Sequence, residues 1–344
     1  MTKFNLPETK ELRALLRSRK GEERLGASVT IVDENTSFES QLNTFNGKYV
    51  VLGIQEDVGV RANLGRGGAH TAFIPAMDSF LNQQSNQFLT GEDILIAGST
   101  PVSDLMKKAE CLDQRNSKDL AELRTLTAEI DNRVIEIMKP VFASGKIPII
   151  IGGGHNNAYG LLAAASQTFK RKVNVVNCDA HTDMRAIEGR HSGNGFSYAY
   201  QNGFINRYTV IGLHEQYNNT DSLFYFKNQP SQFMFSSFED IFVRENINMK
   251  SAIERSLNFV KDDLFGVELD LDSIANVPSS AKTSSGITTI QARQFVYQSA
   301  KQKNAMYLHI AEGAPVLAHR KADNKTGKLI AYLMSDFIKG NKEV

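Results

Sequence analysis

The sequence predicts an α/β protein: a three-layer, doubly wound, mostly parallel sheet with helices on both faces. Three observations carry this reading. Short runs rich in β-branched residues recur along the chain and end in Gly, Asp or Asn. Longer segments with apolar residues at helical spacing separate them, and no Pro/Ser/Gly-rich linker or internal repeat divides the chain. The strand runs are largely apolar rather than strictly alternating, as expected of parallel sheets covered on both faces.

The expected strands are Tyr49–Asp57, Ile94–Gly98, Ile147–His155, Val173–His181, Tyr208–Gln216, Leu264–Asp272 and Met306–Pro315. The clearest helix spans Lys118–Ala143. Its Leu120, Leu123, Leu126, Ile130, Val134, Ile137 and Met138 recur at helical spacing, and Gly145 follows as a stop. Met249–Asp262 and Gln291–Lys303 read as further crossover helices. Strand and helix alternate to the end, so residues 46–344 are expected to form a single α/β catalytic domain. Residues 1–45 would be an N-terminal extension packed on it.

Composition removes several function classes. Of 344 residues, 39 are basic and 38 acidic, a net charge of +1, so no broad attraction to nucleic acid or anionic membrane is implied. The first 26 residues lack an apolar core of signal-peptide length, and the apolar run Ile147–Ile151 is too short to span a bilayer. The cysteines Cys111 and Cys178 form no disulfide framework, which makes the cytoplasm the default location. A small-molecule partner is the remaining expectation.

In doubly wound sheets, ligands sit at the carboxyl ends of the strands. Three expected strand ends carry unusual residues: Gly152-Gly153-Gly154-His155, Asp179-Ala180-His181-Thr182-Asp183 and Asp270-Leu271-Asp272. Residues i and i+2 of an extended chain face the same side, so each set can present its ligands together. Four carboxylates would repel one another unless cations neutralised them. A mixed oxygen and nitrogen set without thiolate suits Mn²⁺ better than Zn²⁺ or Fe²⁺. The number of carboxylates exceeds what one zinc needs and fits a pair of ions about 3.5–4 Å apart. Each motif alone would more often be a turn, a cap or a structural histidine. Three of them, ending three apolar strands, weaken that reading.

These segments resemble the ureohydrolase family of arginases, agmatinases and formimidoylglutamases. GGGH (152–155), DAHTD (179–183) and DLD (270–272) stand in the family's order, with Asn63–Gly68, Gly193–Ser197 and Glu312 extending the match. The resemblance implies that His155, Asp179, His181, Asp183, Asp270 and Asp272 hold two Mn²⁺ per chain, with Asp179 and Asp270 or its near neighbours bridging. It implies a hydroxide as nucleophile and a proton-handling role for Asp183. Glu312 would grip a cationic amidine or guanidine, and His191 would join the catalytic set. Arg185, Glu312 and Asn194 would contact substrate. A homo-oligomer is also implied.

Within the family the similarity runs toward formimidoylglutamases. It rests on GVRANLGRGGA (59–69), GGGH, Arg185 soon after DAHTD, and His191-Ser192-Gly193. The expected reaction is then hydrolysis of N-formimidoyl-L-glutamate to L-glutamate and formamide, in histidine breakdown. Some places differ from the family pattern. Asn156 follows GGGH where glutamate is frequent, Ser273 follows DLD where Asp-Pro is familiar, and His309 replaces a usual aspartate. A urea-releasing guanidino-hydrolase, a non-catalytic binding subunit and a single-zinc deacetylase stay open as alternatives. The full ligand set and Glu312 argue against the last two.

Overall fold

In the computed structural model, which describes residues 7–33, 35–317 and 324–344, nine strands form one parallel sheet. They are β1 (Thr30–Ile31), β2 (Tyr49–Gly53), β3 (Ile94–Ser99), β4 (Ile147–Ile151), β5 (Val173–Cys178), β6 (Ile205–Leu213), β7 (Phe233–Ser237), β8 (Phe265–Asp270) and β9 (Ala305–Ala311). Their spatial order is β1-β3-β2-β4-β9-β8-β5-β6-β7.

The apolar runs make both faces of this sheet hydrophobic. Along β2, Tyr49 and Val51 enter one core while Val50 and Leu52 enter the other. Ser117–Ala143 and Asn157–Phe169 supply helices to the second core. Phe73–Leu81, Met249–Val260, Thr289–Ala300 and Asn324–Asn341 supply the first. The long helix starts where Asn116 accepts hydrogen bonds from the amides of Lys118 and Asp119, which satisfies two otherwise orphan donors. No helix among the described residues is long and apolar enough to cross a membrane.

All seven expected strands are present, with β1 and β7 in addition. Thr30 and Ile31 pair with Leu95 and Ile96, so the N-terminal stretch contributes an edge strand to the sheet. Leu12 and Leu25 are buried in its core.

The strand order places the site. The last two strands of the chain, β8 and β9, insert between β4 and β5. The carboxyl ends of β4, β9, β8 and β5 therefore lie side by side at mid-sheet. Four segments remote in sequence, carrying GGGH, Glu312, DLD and DAHTD, converge there.

Candidate metal centre

β4 runs into the turn Gly152–His155. Gly152 and Gly153 have φ of +86° and +74°, and a Cβ on Gly153 would collide with the Asn157 side chain. Glycine is what lets this turn form. Glu56, fully buried, fastens it. Its Oε1 accepts from the amide of Gly154 (2.9 Å) and from Asn157 Nδ2 (2.6 Å), and its Oε2 from the amide of Gly59 (3.1 Å). Burial raises the Glu56 carboxyl above the usual carboxylate range, and these bonds offset part of that rise.

The Asp-x-His and Asp-x-Asp spacings have a local cause. Asp179 Oδ1 accepts from the amide of His181 at 2.7 Å, and Asp270 Oδ1 accepts from the amide of Asp272 at 2.8 Å. Each first aspartate thus folds the chain back over its own side chain as the strand ends. That fold brings the second ligand round to the first.

His155 sits at the centre. Its Nδ1 lies 3.0 Å from Asp183, 3.1 Å from Asp179 and 3.3 Å from Asp270. Neither ring nitrogen has a hydrogen bond of good geometry among the described residues. His181 Nδ1 lies 3.4 Å from Asp179 and 3.5 Å from Asp272. Ligand atoms of His155, Asp179, Asp183 and Asp270 all fall within 4.8 Å of one another, and so do those of Asp179, His181 and Asp272. Asp179 is common to both groups.

The electrostatics fit cations. Burial and the neighbouring carboxylates raise Asp183, hold Asp270 well above its ordinary range, and push Asp272 up to about 7. Burial alone would lower both histidines, but the surrounding carboxylates hold them well above the ordinary imidazole value. Asp179 is driven the other way, below the usual range against its own burial, because His155 and His181 both face it. Without cations this set can hold protons only awkwardly. Two divalent ions would satisfy the unpartnered His155 Nδ1 and the crowded acids together.

Above this floor opens a cavity of about 300 Å³, bordered by His181, Asp183, Asp272, Glu312, Asn63 and Arg185. Glu312 follows β9, and its Oε1 accepts from the amide of His155 at 3.0 Å. Burial, with Asp272 next in weight, pushes its carboxyl up to about 8. Asp183 and Glu312 have φ of 47° and 62°, in the left-handed region. Arg185 is exposed at the cavity wall, where its Nη1 donates to Asn63 Oδ1 at 3.1 Å. Tyr217 stacks on His181 with ring centres 5.6 Å apart.

His191 and Asn194 depart from the sequence expectation, because neither borders this cavity. His191 is fully buried, and its Nδ1 accepts from the amide of Gly193 at 3.2 Å. Asn194 Oδ1 accepts from Arg190 Nη1 and the His191 amide, while its Nδ2 donates to the carbonyls of Ala186 and Gly189. Both side chains hold the loop that carries Arg185. Arg190 anchors that loop through a 2.7 Å pair with Asp131. Sequence reasoning missed Glu56 and Glu268, both fully buried. Their one signal was a glutamate at the end of, or within, an apolar strand run.

The Arginase family pattern matches residues 67–339. The chain belongs to the arginase family. Over 318 residues this arginase-family chain is 26% identical to a formimidoylglutamase of Streptococcus pyogenes, covering 89% of the chain and 88% of the relative. Its fold is similar to that of formimidoylglutamase from Bacillus subtilis, with a TM-score of 0.74 at 17% identity, covering 97% and 99% of the two chains. It is also similar to Trypanosoma cruzi formiminoglutamase solved with Mn²⁺, with a TM-score of 0.72 at 19% identity, covering 93% and 98%. The family expected from GGGH, DAHTD and DLD is thus the family found, and the three-layer α/β fold is shared with these structures.

Proposed function

We propose that this arginase-family hydrolase is a two-manganese formimidoylglutamase, converting N-formimidoyl-L-glutamate and water to L-glutamate and formamide. One observation carries the reading. An anionic floor of ligand-type side chains and Glu312 share a cavity with the exposed guanidinium of Arg185. A substrate with a cationic amidine at one end and carboxylates at the other matches that polarity. The similarity to formimidoylglutamases points the same way.

His155, Asp179, Asp183 and Asp270 would hold one ion, and Asp179, His181 and Asp272 the other. When bound, two such cations lower the pKa of water enough to supply hydroxide near neutral pH. The rest falls to the protein. Glu312 engages the amidinium, whose positive charge returns the glutamate to its ionised form. Arg185 pairs with a substrate carboxylate and sets the direction of entry. Water adds to the amidine carbon and the bond from that carbon to the glutamate nitrogen breaks. Asp183, at the cavity floor, passes the proton that this nitrogen needs to leave as an amine. Agmatine has no carboxylate for Arg185 and carries an added positive charge.

The test is a substrate panel on manganese-loaded protein, with formamide, urea and ammonia measured separately. Formimidoylglutamate should be the preferred substrate and formamide the product. Preference for arginine or agmatine, with urea released, would overturn the substrate and leave the hydrolase. Fewer than two Mn²⁺ bound per chain at saturation would overturn the two-metal centre.

A further inference from the structure

Beneath the candidate metal floor lies a set of buried polar groups that the proposed reaction does not use. Glu268 stands in β8 two residues before Asp270, with no exposure to solvent. Strand periodicity puts both side chains on one side of β8. His309 of β9 is the register partner of Glu268. The two oxygens of Glu268 are occupied. Oε1 accepts from Tyr307 Oη at 2.5 Å, and Oε2 lies 2.7 Å from His309 Nδ1. That same Oε2 is 3.4 Å from Nε2 of His155. A carboxylate buried so completely is costly unless its lone pairs are satisfied. Here Tyr307 and His309 satisfy them while the carboxylate faces the far edge of the His155 ring.

Ligand atoms of His155, Glu268 and His309 fall within 4.8 Å of one another, so a third ion could be imagined among them. The contacts of Glu268 with Tyr307 and His309 argue against it, because an ion there would have to displace both donors, whereas a lone pair of Oε2 is left for one further N–H. An imidazole offers a second possibility. When neutral it carries one N–H, and the partner of that N–H decides which nitrogen keeps a lone pair.

We infer that Glu268 is a positioning residue for His155: its Oε2 faces Nε2 at 3.4 Å, where a small closure lets it take the Nε2–H once Nδ1 holds an ion, and so it keeps the lone pair of Nδ1 toward Asp179, Asp183 and Asp270. This rests on the two-metal reading above and goes beyond it, because it makes one of the two sites depend on a residue that touches no metal. A carboxylate behind a metal-binding histidine orients the ring and raises its basicity, and removing it commonly costs about 10- to 100-fold in metal affinity. The resemblance noted earlier has aspartate where His309 stands. In this chain the carboxylate comes instead from the neighbouring strand, at the register-paired position.

The experiment compares stepwise Mn²⁺ affinities of full-length wild type and Glu268→Gln, with the melting temperature of the metal-free proteins as a control for folding. The expected result is a loss of about 10- to 100-fold at one site and no change at the other. Glu268→Gln/His309→Asp should recover most of that loss, since the acid returns from the paired strand. Two unchanged constants, equal losses at both sites, or no recovery in the double variant would overturn the inference. Should Glu268→Gln fail to fold, Glu268→Asp serves, with a smaller loss expected at the same single site and equal affinities overturning the idea. A wild-type chain that binds two ions while the variants bind them equally well removes only this inference. A wild-type chain that binds fewer than two removes the two-metal reading with it.

Discussion

His155 and Arg185 belong to one site, yet the chain holds them very differently. His155 is 1% exposed, follows a strand at mid-sheet, and has carboxylates on both edges of its ring. Arg185 is exposed, rides on a loop, and among the described residues its side chain makes one hydrogen bond, to Asn63. The floor cannot move without disturbing four adjacent strands. The wall can change by altering one loop. A fold built this way keeps its bond-breaking chemistry fixed and leaves substrate choice free to vary.

The comparison breaks most visibly at Asp179, the residue common to both groups on the floor. At a hundred times the dissociation constant, a bound ion stabilises a fold by about 2.7 kcal/mol. Mn²⁺ should therefore raise the melting temperature of the wild type by several degrees, and Asp179→Ala should lose most of that rise together with activity. A thermal melt with and without Mn²⁺ checks this. A mutant that still responds in full would mean that the floor is not the metal site.

The wall should give a smaller and different effect. Losing a charge-assisted contact costs about 1.5–3 kcal/mol, or roughly 10- to 150-fold. Arg185→Ala should lower kcat/KM for formimidoylglutamate within that range, mainly through KM, and leave bound manganese unchanged. Steady-state kinetics with elemental analysis of the same sample separates the two. Loss of metal on Arg185→Ala would join wall and floor into one unit.

The smallest effect lies in the loop behind the wall. Burial, then Arg124, Arg190 and Arg185, push the His191 imidazole down to about 3. Its Nδ1 also accepts a hydrogen bond, which a protonated nitrogen cannot do. The fold therefore favours the neutral ring. Its contribution to stability is complete above about pH 6.5 and is lost as pH falls from there toward 3. Metal-free His191→Asn should lose stability less steeply than wild type between pH 6.5 and 4, measured as denaturation midpoint against pH. Parallel slopes would show that His191 does not sense pH.

The same contrast sets how much the sequence could reveal. The floor was legible because DAHTD and DLD place ligands at spacings that a strand end turns into one surface. The central strands were legible because Ile147–Ile151 is apolar without a break and Val173–Cys178 is valine-rich, interrupted only by Asn174 and Asn177. β1 has only two residues, too few for any periodicity, and β7 reads FMFSS, with no β-branched residue. Glu268 was hidden because its meaning depends on β9 lying beside β8, a pairing that local pattern does not contain. His191 was expected in the catalytic set and Asn194 beside substrate, both on the family resemblance. The short turn at Ser192–Asn194 instead caps itself with His191 and points both side chains into the loop.

The left-handed backbone at Asp183 and Glu312 bears on how this protein could be improved. Glycine adopts such a conformation freely, aspartate tolerates it, and glutamate resists it. These two cavity-bordering acids thus stand where glycine would fold with less strain. A library of metal-free variants screened for heat resistance alone would drift toward glycine at 183 and 312. Its winners would be sturdier proteins with the cleft disarmed.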